Sequence, residues 1–215
     1  MSLFRLGGPV FRFFERAIDL IILNLLFLLC CVPIVTIGPA LTALHYVSMK
    51  LMLKEERGIV RDFFHAFRLN FRQSILLSLI FVGAAAVLGA DFYLLLFSAA
   101  IPEDTVSFFF VSTGVLAGLF FLVYSYVFPI LARFHVTVVG CLKAAMVMAF
   151  SHFLTTICVL GVSLIPLLIL FLPIIQILYF VVPAFTLIGF ALMAYAQSWF
   201  FLRVFQHHKG EGKSS

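Results

Sequence analysis

Six polar residues stand inside long apolar runs of this sequence: Asp19, Asn24, His45, Asp91, His152 and Gln176. An acid, amide or imidazole at that depth is costly, so each is read first as a functional candidate. The chemistry they would serve is a proton or ion path, or an intramembrane polar site for a solute built from Asp19, Asn24, Asp91, His152 or Gln176. A path calls for acids and bases stacked along facing helices. Here they are scattered, and no Lys or Arg lies deep in any run. Asp91 lies roughly 26 Å into its run at 1.5 Å per residue, either past the middle of a bilayer or near its outer mouth. A structural hydrogen-bonding role is the plainer expectation for it. His152, beside Ser151 and near Thr155 and Thr156, is expected to be a satisfied interhelical histidine rather than a ligand.

The second candidate is RGIVRDFFHAFRLNFRQ, residues 57–73. On a helix, Arg57, Arg61, His65, Arg68 and Arg72 fall within about an 80° arc. Val60, Phe63, Phe64, Phe67 and Phe71 gather opposite them. This is a basic amphipathic helix suited to a membrane interface, its aromatic face at the acyl boundary. The plainer reading is an anchor that touches anionic lipid head groups. The sharper one is a docking surface for a partner, with Arg57, Arg61, Phe64, His65, Phe67, Arg68, Phe71 and Arg72 as the contacts.

Catalytic motifs are absent. There is no G-x-x-x-x-G-K, G-x-S-x-G or H-E-x-x-H, and the paired acids Glu55 and Glu56 sit in a charged turn. No catalytic residue, metal ligand or cofactor is expected, and the chain is read as a non-enzyme. The four cysteines, Cys30, Cys31, Cys141 and Cys158, form no C-x-x-C pair and read as buried thiols.

These candidates must be held by membrane helices. Of 215 residues 64% are hydrophobic and 11% charged, with a mean hydropathy of +1.21. A soluble domain carries about a quarter charged residues. The sequence predicts an all-α, polytopic transmembrane helical bundle, a single domain over residues 1–208. It has five to six membrane helices, at about 17–37, 39–53, 74–100, 106–131, 142–165 and 174–202, plus the interfacial helix at 57–73. A polar tail, residues 209–215, is expected to be disordered. The segment 39–53 is short for a span of about 20 residues, so it crosses tilted or re-enters. Gly114 and Gly118, in a G-x-x-x-G, and Gly83, Ala86 and Ala90 on the preceding span predict close packing of those two helices. Pro129 and Pro183 predict kinks.

The net charge of +5 is explained by orientation rather than by nucleic acid. All 14 Lys and Arg fall in the N-terminal segment, in residues 50–72, near Arg133 and Lys143, or in the C-terminal segment. The other connections have none. The positive-inside rule then puts all of these positions, and both termini, in the cytoplasm. Gly38-Pro39-Ala40 imitates a signal cleavage site, but cleavage there would leave the basic segment outside.

Two stretches carry a resemblance. Residues 24–56 contain P-x-x-T-x-G-P-A-x-x-A-L, and residues 61–74 contain F-F-x-x-F-R-x-N-F. Together they resemble the YesL family of small bacterial membrane proteins, whose members are usually encoded beside sugar ABC importers and polysaccharide-degrading enzymes. The resemblance implies an accessory role in carbohydrate uptake in the plasma membrane of a bacterium, with lipids and ABC permease subunits as partners. It supplies no catalytic residue. The competing expectation is a stand-alone small-solute transporter.

Overall fold

The computed structural model describes residues 9–97, 103–134, 136–151, 153–170 and 182–211, and every regular element among them is helical. Helix α1, Pro9–Cys31, opens on a proline, which suits a first turn whose N–H has no intrahelical partner. It stops short of Pro33, because proline disfavours helical backbone in the residue before it. Pro33 is extended (φ −79°, ψ 122°) and leads into a 3-10 turn, Ile34–Thr36. The Thr36 hydroxyl lies 2.6 Å from the Cys30 carbonyl and 2.7 Å from that of Pro33, covering acceptors that the end of α1 leaves free.

Helix α2, Ile37–Leu53, follows at once. The break expected at residues 36–39 therefore lies at 32–36, and Gly38 and Pro39 belong to the first turn of α2. Lys54 ends it in the left-handed region (φ 56°). Then come α3 (Ile59–Leu69), α4 (Phe71–Phe97), α5 (Glu103–Arg133), α6 (Val138–Ser151) and α7 (Phe153–Leu170). The final helix, α8 (Phe190–Glu211), is entered through a π-turn at Phe185–Gly189. It runs through residues 209–211, which the sequence reading assigns to the tail.

Four segments are long and apolar enough to cross a membrane: Ile34–Leu53, Phe71–Leu95, Phe108–Arg133 and Val182–Arg203. They become five if Val138–Ser151 and Thr155–Leu164, bent by 107°, form one span. This bend corrects the single straight helix expected at 142–165. The segment at 17–37 does not qualify. Arg12, Glu15, Arg16 and Asp19 occupy the first half of α1, leaving only residues 20–31 uncharged, about 18 Å of helix.

The short segment with doubtful standing in the sequence is instead the hub. The Ile34–Leu53 span is 61% buried within the protein, against 11% for Phe71–Leu95. Ala40, Ala43, Leu44, Val47 and Leu51 of α2 pack with Leu20, Leu23 and Phe27 of α1, Phe63 of α3 and Ala191 and Ala194 of α8. Met49, on another face of α2, joins Leu77, Phe81, Tyr126, Ile130, Cys141 and Phe201 in a second cluster. Small side chains let membrane helices approach closely, and Gly38 is the tightest case. A Cβ there would lie 2.6 Å from the Ser74 carbonyl oxygen of α4. Beside it the Thr42 and Ser74 hydroxyls bond at 2.9 Å.

The glycines of α4 and α5 do the opposite. Gly83, Gly89, Gly114 and Gly118 each have open space at the Cβ position, so the close packing expected from Gly114–x–x–x–Gly118 is absent. Leu79, Val82, Val87, Val115 and Leu116 are also exposed. A face this apolar is covered by acyl chains in a bilayer.

Candidate functional site

The basic segment folds around one acid. Gly58 adopts φ +122°, open to glycine but rarely to other residues, and turns the chain into α3. In the first turn, Asp62 is buried. One carboxylate oxygen accepts from the Lys50 ammonium at 3.0 Å and the other from the Arg57 backbone N–H at 3.0 Å. Lys50 also lies 4.9 Å from the centre of the Tyr46 ring. Asp62 thus ties the end of α2, the turn and the start of α3 together. Burial pushes its carboxyl upward, but the Arg57 N–H and the Lys50 ammonium outweigh that and hold it below the usual carboxylate range. Asp62 went unremarked among the candidates. Its signal is that it is the one acid in residues 57–73.

With α3 held this way, Arg57, Arg61, His65, Arg68 and Arg72 are all exposed. The opposite face does not meet lipid as expected. Phe63 and Ala66 are fully buried against α1 and α2, and Phe67 is half-buried. Phe64 and Phe71 remain exposed, and the rings of Phe64, Phe63, Phe67 and Phe71 run in contact along the helix. Apolar periodicity identified the face, while protein rather than acyl chains covers most of it. An open groove of about 1070 Å³ runs beside the basic row, lined by Lys50, Arg57, Arg61, His65 and Arg68. At the near end of α1, Arg16 pairs with Asp19 at 3.9 Å and with Glu56 of the α2–α3 turn at 3.4 Å. Asp19 therefore belongs to this charged rim.

The intramembrane polar candidates do not come together. Asn24 is fully buried. Its amide N–H donates to the Thr186 carbonyl at 2.7 Å, and its amide oxygen accepts from the Ala191 N–H at 2.9 Å. A π-turn widens the backbone ladder and frees such groups, and Asn24 takes one donor and one acceptor from it. Asp91 of α4 accepts a hydrogen bond from the Thr113 hydroxyl of α5. Each candidate thus has its own partner on a different pair of elements. His152 and Gln176 lie outside the described residues. Among the described residues, no group of three or more His, Cys, Asp or Glu is placed to hold a metal ion.

Further interhelical bonds were not singled out in the sequence, where Ser, Thr and Tyr in apolar runs are commonplace. Tyr126 and Thr156 hydroxyls meet at 2.8 Å, and Gln197 donates to the Ser163 hydroxyl at 2.9 Å.

Neither the curated proteins nor the solved structures yield a match to this chain. A family model does: residues 20–92, a stretch holding Asn24, Gly38, Asp62 and Asp91, match the one described as "Protein of unknown function, DUF624". The segment from the second half of α1 through most of α4 is therefore a DUF624 domain, of the YesL-type family of unknown function.

Proposed function

We propose that this chain is a non-enzymatic component of a bacterial plasma membrane that assembles with the permease subunits of a carbohydrate ABC importer. The basic face of α3 is its docking surface, and both termini lie in the cytoplasm. The observation that carries this reading is the contrast within α3. One side is locked to the bundle by Asp62 and Phe63, while the row Arg57, Arg61, His65, Arg68 and Arg72 stays exposed. A basic row on a fixed helix is a surface for acidic residues of a partner, with the surrounding head groups as a weaker second contact. The link to carbohydrate import rests on the YesL resemblance.

Co-purification tests it. A tagged chain should bring down permease subunits, and the double variant Arg61→Glu/Arg68→Glu should lose them while melting normally. A wild-type chain that never retains a permease subunit sinks the proposal. The second reading, a stand-alone solute transporter, is disfavoured because Asn24, Asp19 and Asp91 are each engaged in separate structural contacts.

A further inference from the structure

We infer that the cavity between α2, α5, α7 and α8 is a binding site for a small, uncharged, hydroxylated molecule. The inference is independent of the docking surface, since it uses none of the residues of α3. The cavity measures about 230 Å³ and is lined by His45 of α2, Ser125 and Pro129 of α5, Ser163 of α7 and Gln197 of α8. His45 is near the middle of α2, so the cavity lies at depth in the bundle.

Three polar points converge on it without protein partners to satisfy them. His45 is only 7% exposed, and its Nδ1 has no hydrogen-bond partner among the described residues. An imidazole nitrogen buried in apolar surroundings normally finds one. Pro129 lies inside α5 and has no N–H, so the Ser125 carbonyl one turn earlier loses its usual helical donor. Gln197 is buried, and its amide N–H is used by the Ser163 hydroxyl, which in turn donates to the Val159 carbonyl at 2.9 Å. The Gln197 amide oxygen is left over. Two acceptors and an imidazole facing one space suit a ligand that offers hydroxyl donors.

The rest of the wall narrows the ligand. No charged side chain lines the cavity, so an ion or an ionised metabolite would be desolvated without compensation. Most of the lining is aliphatic or aromatic, the usual make-up of a small-molecule pocket with a few orienting polar groups. Its volume equals about seven waters at ~30 Å³ each. An acyl chain would leave the three polar points unpaired. A small polyol or a monosaccharide matches the size, the neutrality and the donors.

The test uses the full chain in phosphatidylcholine nanodiscs with isotope-labelled histidine rings. It is titrated with glycerol, inositol and D-glucose while the ring nitrogens are followed by NMR. His45→Gln assigns the resonance. At least one solute should shift the His45 signal saturably while exposed His65 stays still. Gln197→Leu and, independently, Ser163→Val should weaken that binding roughly tenfold, about the loss of one hydrogen bond. If His45→Gln fails to fold, these two variants still decide, because each leaves the His45 probe in place. The inference is overturned if no solute moves His45, or if His45 and His65 drift together without saturation. It is equally overturned if the His45 signal follows the acyl composition of the nanodisc instead.

Discussion

The Lys50 ammonium and the Asp62 carboxylate meet at 3.0 Å across the α2–α3 turn, with the Asp62 side chain almost wholly buried. Such a pair holds the turn because the second carboxylate oxygen is also used, by the Arg57 N–H. Removing the charge without the shape should therefore loosen α3. Asp62→Asn is expected to destabilise the protein by about 1.5–3 kcal/mol, the range for hydrogen bonds to charged groups. Thermal unfolding in detergent, with protease cleavage of residues 54–58 as a local readout, measures it. Unchanged melting and cleavage would contradict the role given to Asp62.

The same carboxylate predicts a pH dependence. Its value in the folded protein is lowered from the ordinary 3.8. The folded state therefore binds a proton less readily than the unfolded state. The stability from Asp62 is present above about pH 4 and is lost as the pH falls through the lowered folded value. Wild type should lose melting temperature between about pH 4 and pH 2 by more than Asp62→Asn does. Parallel curves would assign the acid sensitivity to other groups.

Asn24 gives a sharper test, because its two bonds run in opposite directions. Asn24→Ala leaves the Thr186 carbonyl and the Ala191 N–H unpaired, at a cost of about 1–3 kcal/mol for each buried group. Asn24→Asp should not restore wild-type stability, since a carboxylate accepts from Ala191 but cannot donate to Thr186. Full rescue by Asp would show that only the acceptor matters.

The glycines predict opposite outcomes for one substitution. Gly38→Ala should lower folded yield severely, since the obstruction is the Ser74 backbone and backbone cannot swing aside. Gly83→Ala and Gly118→Ala should be tolerated, because nothing lies near the added methyl. Fluorescence-detected gel filtration of the three variants compares them directly. Loss of monodisperse protein in Gly118→Ala would mean that this face packs against protein.

The Asp91–Thr113 bond joins α4 to α5. A double-mutant cycle with Asp91→Asn and Thr113→Val should give a coupling of about 0.6 kcal/mol, typical of interhelical bonds within membranes. A coupling near zero would remove it as a strut.

The sequence made the helical class and the solvent side of α3 legible, because charge and periodicity act locally. Arg61 and Arg68 are exposed where spacing put them. What was not legible depends on partners far along the chain. Phe63 and Phe64 are equally apolar, yet one is sealed against α1 and α2 and the other is not. A lipid-facing stripe and a protein-facing stripe have the same composition, so hydropathy cannot separate them. For the same reason, the exposed Gly114 and the wedged Gly38 look alike until α4 is in place. Asn24 read as a candidate polar site because the backbone it serves lies in another helix. The α6–α7 bend falls near His152 within an unbroken apolar run, which carries no charge or proline to mark it.

The bond from Asn24 to Ala191 spans 167 residues, and that separation has a consequence for biosynthesis. At about 5–20 residues per second, the first helix must wait roughly ten to thirty seconds in the membrane before its amide meets its partner. During that interval the polar group is an unfinished edge, recognisable to an insertase or a quality-control protease. A nascent chain truncated before the π-turn can never bury it. Completion of the last helix is thus the event that makes the first one indistinguishable from its apolar neighbours.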